Sequence, residues 1–132
     1  MRGTAGSRRI IVTPESVTQI DTGLLACNRR QEAKASVLTP RDWRDIQRAL
    51  LDTNFSQLTD REAASPTVHF DHPQFILQVV TDTDTHRVSS DQVGSSSTPG
   101  LRRFDRVWNA VVKQSLDALD RRDRCGTSPD QQ

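Results

Sequence analysis

The sequence predicts an α+β fold, a two-layer sandwich in which two helices cover one face of an antiparallel sheet of about four strands, in the order ββαββα. Three observations carry this expectation. Leu38 to Leu51 reads as a capped amphipathic helix, and Leu101 to Leu119 repeats apolar residues at helical spacing. Phe75 to Val80 is a β-forming run followed by a turn and a short return, the pattern of a hairpin.

Taken in order, Ile10–Val12 and Val17–Ile20 are β-branched stretches around Pro14, which interrupts or edges their pairing. Asp21-Thr22-Gly23 reads as a turn, with Gly23 free to take positive φ. Leu24 to Val37 is expected to run back antiparallel, with an irregular middle at Asn28 to Gln31. The first helix, residues 40–53, opens on Thr39 as N-cap and Pro40 at the first helical position, where its missing donor costs nothing. Asp42 and Asp45 sit near the positive end of its dipole. Trp43, Ile46, Gln47, Leu50 and Leu51 are expected to line the inner face, with Arg41, Arg44, Arg48 and Asp52 outside.

Phe55 and Leu58 should pack back onto the sheet, ahead of a long, acidic, proline-containing connection at residues 59–73. Phe75–Val80 is apolar on both faces, as befits a central strand, and Asp82-Thr83-Asp84 turns it into Thr85–Ser89. After the Ser-rich residues 89–98, Thr98 and Pro99 repeat the start signal of the first helix. The second helix then carries Leu101, Phe104, Val107, Trp108, Val111, Val112, Ser115, Leu116 and Leu119 on one stripe. The reading is one domain over residues 9–120, with polar tails at 1–8 and 121–132.

A length of 132 residues fits one domain, and the 33% hydrophobic content implies a small core. The net charge of +1 leaves no basic excess for nucleic acid or a membrane surface, although the cations are Arg apart from Lys34 and Lys113. No apolar run reaches the ~18 residues needed to span a bilayer. Leu24-Leu25-Ala26-Cys27 has the form of a lipoprotein cleavage site, but the residues before it carry Pro14, Glu15 and Asp21 instead of an apolar stretch. The expected compartment is therefore the cytoplasm. Cys27 and Cys125 have neither metal-ligand spacing nor a disulfide framework around them and read as free thiols.

Candidate chemistry is sparse. Asp21-Thr22-Gly23 matches the tripeptide of aspartic peptidases, in which two such carboxylates share a proton. Leu24 follows where those enzymes need a small residue, and a turn explains the match. His69, Asp71 and His72, with His86 on the neighbouring hairpin, form the one cluster with the donor types for zinc. In an extended segment His69 and His72 point to opposite faces, so the expectation is polar residues at a strand entrance. The serines lack a Gly-x-Ser-x-Gly turn, and no glycine-rich phosphate loop is present. The Arg pairs at 8–9, 29–30, 102–103 and 121–122 read as solvated faces, since no aromatic residues interleave them for base stacking. No cofactor is expected.

Leu38-Thr39-Pro40 opening a helix, its Asn54-Phe55-x-x-Leu58 exit, the strand Phe75-Ile76-Leu77-Gln78-Val79-Val80, the return His86-Arg87-Val88 and the helix from Pro99 together resemble a group of small bacterial α+β domains. Some of these occur in lipoproteins, and a related-looking set is the emfourin-like inhibitors of thermolysin-type metallopeptidases. The resemblance spans roughly residues 36–119 and implies a shared architecture and, at most, peptidase inhibition. The Gly-Gly-apolar opening of emfourin-like sequences is absent here.

The functional expectation is a non-enzymatic module that binds a protein partner or a second copy, without nucleic acid or membrane. The alternative is a small metal-dependent hydrolase using His69, Asp71, His72 and His86. A sheet with helices on one side leaves its other face open to water. Phe75, Leu77 and Val79 share one side of their strand, and Ile76, Gln78 and Val80 share the other. The expected binding face is drawn from Phe75, Ile76, Leu77, Val79 and Val80.

Overall fold

The computed structural model describes residues 6–23, 29–64, 74–91 and 97–113. Five strands form one sheet: β1 (Ser7–Val12), β2 (Ser16–Gly23), β3 (Arg29–Val37), β4 (Gln74–Val80) and β5 (Thr85–Ser90). Two helices, α1 (Pro40–Asp52) and α2 (Pro99–Val111), pack on one face, and a single 3-10 turn, Phe55–Gln57, follows α1. The fold is α+β, as expected, but the sheet is larger and mixed. Its order is β3-β2-β1-β4-β5, and β4 pairs with β1 in parallel, Ser7 opposite Gln74 through Val12 opposite Val79. The other three pairings are antiparallel.

The parallel seam follows from the meander that precedes it. A three-stranded meander ends with β3 running in the same direction as β1, so α1 starts at the end of the sheet where β1 also finishes. There the Leu38 amide donates to the Glu15 carbonyl at 2.9 Å. At its far end α1 adjoins Thr81 and Asp84, in the turn between β4 and β5, at that same end of the sheet. The helix therefore crosses over the strands and does not run back along them. Its 13 residues span ~20 Å at 1.5 Å per residue, close to the ~19 Å width of five strands. The chain must then descend before it can form β4, which enters beside β1 in the same direction.

The strap after α1 begins that descent along β5. The carbonyl of Leu58 meets Nε2 of His86 at 3.0 Å, the Asp60 carboxylate accepts from the Ser89 amide at 2.8 Å, and the Ser90 hydroxyl donates to the Ala63 carbonyl at 2.6 Å. Thr59 and Glu62 hold the turn reciprocally, the Thr59 amide donating to Glu62 and the Glu62 amide to the Thr59 hydroxyl. An unprotected strand edge is a template for unwanted pairing, and this strap blunts that of β5.

Both helix starts follow their sequence signals. Thr39 and Asp42 form a reciprocal capping box, and Thr98 accepts from the Leu101 amide at 3.1 Å. Each cap contributes about 1 kcal/mol. The inner face of α1 is rotated from the expected one: Ile46 and Ala49 are buried with Trp43 and Leu50 packed beside them, while Gln47 is exposed and Leu51 is 81% exposed. The expected inner face of α2 holds from Leu101 through Val112. Trp108 meets Phe75 edge-to-face at 5.5 Å and stacks near Phe104 at 5.7 Å. Phe55 and Leu58 are buried, as expected.

Two further readings change. Asp21-Thr22-Gly23 is no turn but the end of β2, where a register shift against β3 falls between Asp21 and Gly23 and Gly23 takes φ 64°. The chain is also ordered from earlier than residue 9, since Ser7 and Arg8 belong to β1. Residues 121–132 and the cysteines lie outside the described residues.

Gly100 seats α2 against the strap. A Cβ there would come within 1.8 Å of the Glu62 carbonyl oxygen. Gly100→Ala is expected to destabilise the domain by roughly 1–3 kcal/mol, the usual range for forced overpacking. Urea denaturation with a midpoint equal to that of the parent would contradict the contact.

Candidate protein-binding face

Side-chain alternation splits the sheet cleanly. Ile10, Val12, Val17, Leu77, Val79 and Val88 point towards the helices and are 7% exposed or less. Of the five residues expected at the binding face, Leu77 and Val79 are thus core and Phe75 packs against Trp108. Ile76 and Val80 take the opposite, open face.

The register shows what surrounds them. Ile11, on the central strand, lies between Thr18 and Gln78, and Arg9 lies between Ile20 and Ile76. Val80 is opposite Thr85, Arg87 opposite Gln78, and Val37 opposite Ser16 at the β3 edge. Ile11, Ile20, Ile76 and Val80 are half-buried, whereas Val37 is 83% exposed. No described helix covers them. Strand residues beginning at Ile10 could not reveal that Arg8 and Arg9 part company, but alternation from Ser7 onward does so.

Arg8 turns inward. Its guanidinium grips Asp21 in a two-pronged contact, Nε to Oδ1 at 2.9 Å and Nη2 to Oδ2 at 3.1 Å, and Gln19 adds a bond to Oδ2 at 3.1 Å. Asp21 is 1% exposed, so this carboxylate is a buried structural anion in place of a catalytic one facing a cleft. Arg103 is likewise occupied, donating to the carbonyls of Thr53 and Asn54 at 2.7 and 3.0 Å and so closing the C-terminus of α1. Arg106 pairs with Asp52 at 2.9 Å. For Arg8 and Arg103 these contacts replace the expectation of solvated faces, while Arg102 is exposed.

Of the alternative metal cluster, only His86 falls within the described residues. His69, Asp71 and His72 lie outside them, and no group of three metal-ligating side chains occurs within them. His86 faces the helix layer, edge-on to Phe55 at 5.3 Å. Because its partner is a carbonyl, which only accepts, Nε2 carries a proton and is not a ligand atom in this arrangement. A cleft beside it, lined by Leu50, Leu51, Phe55, Val79 and Asp84, holds about 190 Å³, below the ~300–1,000 Å³ of ordinary small-molecule sites.

Among the described residues, the fold and this surface define a two-layer α+β domain with a mixed five-stranded sheet, open on one side. No family model matches the chain, and neither a curated protein nor a solved structure matches it. No described helix is long and apolar enough to cross a membrane.

Proposed function

We propose that this domain is a non-enzymatic binding module that engages another protein through the open face of its sheet. The observation that supports the reading most is the placement of Ile11, Ile20, Ile76 and Val80 on a face that the described helices leave uncovered. Large apolar side chains grouped on an uncovered sheet face are the kind of feature that marks interaction sites. Inhibition of a peptidase, which the emfourin-like resemblance implies, is one form that such binding takes.

Ile76→Lys and Leu77→Lys separate binding from folding, because adjacent residues on β4 face opposite ways. Leu77→Lys places a charge in a fully buried position and is expected to abolish the folded state. Ile76→Lys is expected to keep the thermal transition within about 1 kcal/mol of the parent. A photo-crosslinking side chain at position 76 should yield a protein adduct in cells, while the same group at Arg48, on the outer side of α1, should not. Adducts at position 48 alone, or none at 76, overturn the reading.

A further inference from the structure

On the proposed binding face the charge is one-sided. At the open-face strand positions whose side chains are described, Arg9 and Arg87 are the charged residues, and no carboxylate is present. Three described arginines are half-buried: Arg8, Arg9 and Arg103. Arg8 holds Asp21, and Arg103 holds two carbonyls. Arg9 has no comparable acceptor among the described residues, although it is flanked by Ile20 and Ile76. Its aliphatic stem extends the apolar surface, while its guanidinium presents a rigid fork suited to a carboxylate.

From this arrangement we infer that the partner is a protein that lays an acidic amphipathic helix across the open face, one carboxylate at Arg9 and a second at Arg87. The inference rests on the open face being the binding surface. Arg9 and Arg87 stand two strands apart and two residues apart along them, since Arg9 lies opposite Ile76 and Arg87 opposite Gln78, a separation of about 12 Å. A helix satisfies its own backbone hydrogen bonds and can lie on a sheet face, with residues seven or eight apart on one side at about 10–12 Å, whereas an extended segment there leaves its backbone unpaired. Ile76 and Gln78 flank the line between the two arginines, and Ile11 adjoins it.

Two other occupants fit less well. A second copy seated face to face about the middle of the sheet brings Arg9, on the central strand, towards its own symmetry mate. Single-stranded nucleic acid calls for aromatic platforms, and the described aromatic residues of the strands and helices, Trp43, Phe75, Phe104 and Trp108, all belong to the helix-side core.

The test is selection of a random-peptide display library on the full chain, in parallel with Arg9→Glu and Ile76→Lys, each verified by its thermal melt. Peptides with Asp or Glu seven or eight residues apart around apolar positions should enrich on the parent. Their affinity should fall about tenfold or more on Arg9→Glu, and the Arg9→Glu selection should shift towards basic peptides. Peptides lost on Ile76→Lys but indifferent to Arg9→Glu, or with carboxylates at alternate positions, overturn the acidic helix and leave the open face standing. Peptides indifferent to Ile76→Lys, or no enrichment at all, overturn both. Light scattering that shows a dimer lost on Ile76→Lys, or an Arg9-dependent complex with a mixed-sequence single-stranded oligonucleotide, overturns the acidic partner.

Discussion

Trp108→Ala is expected to eliminate the cooperative thermal transition of this domain. Trp108 is 6% exposed and joins α2 to the sheet through Phe75 while lying against Phe104. Truncating a buried Trp costs ~3–5 kcal/mol, through lost transfer free energy and the cavity left behind. Whole domains are stable by only ~5–15 kcal/mol, and a chain with 33% hydrophobic residues belongs near the low end. Trp43→Ala is the control: that ring is half-buried at the edge of the core, so the loss should be smaller and the transition retained. Circular dichroism melts decide the matter, and a Trp108→Ala transition close to the parent's would show that the core is built around other residues.

Removing Arg8 should be comparably severe for a different reason. Arg8→Ala leaves the Asp21 carboxylate, with 2% of its side chain exposed, facing Gln19 without its guanidinium. Breaking a buried ion pair from one side costs ~3–5 kcal/mol, because a charge remains desolvated and uncompensated. Replacing both members by apolar residues of similar size is often neutral. Arg8→Met combined with Asp21→Leu is therefore expected to recover most of the stability lost in Arg8→Ala. Urea unfolding of the two variants gives the comparison. A double variant as unstable as the single one would mean that the pair itself, and not the stranded charge, carries the energy.

The sequence made the locally encoded parts of this fold legible. Thr39-Pro40 and Thr98-Pro99 announce both helices because a cap is chemistry within four residues. The stripe of α2 is equally explicit. The order ββαββα leaves out one strand although Leu24–Val37 is read as running back antiparallel; the Arg-Arg-Gln-Glu-Ala-Lys-Ala run of β3 has little β-propensity and becomes a strand through pairing with β2. The parallel β1–β4 pairing left no local trace, because neither strand's sequence encodes its neighbour. Leu51 misled because it follows Leu50: adjacent helical residues lie about 100° apart, and the inner face turned out to be centred on Ile46 and Ala49. At the candidate site, alternation within Phe75–Val80 was readable, but the side facing the helices was not. The contrast between Arg8 and Arg9 stays hidden when the boundary between tail and domain is drawn between them and the first strand is begun at Ile10.

The parallel seam has a kinetic consequence. The meander of β1, β2 and β3 occupies residues 7–37, and the hairpin of β4 and β5 occupies residues 74–90. Their sheet hydrogen bonding meets only at β1 and β4, where Ser7 pairs with Gln74, 67 positions along the chain. Closing a loop of that length costs about 3 kcal/mol more entropy than closing a three-residue hairpin loop such as Thr13–Glu15. The two pieces can each assemble from near neighbours, but their union waits on a distant encounter that must be won before its contacts repay it. Because α1 is continuous with β3 and reaches across to the β4–β5 turn, it shortens that search, holding the first piece's free end where the second must arrive.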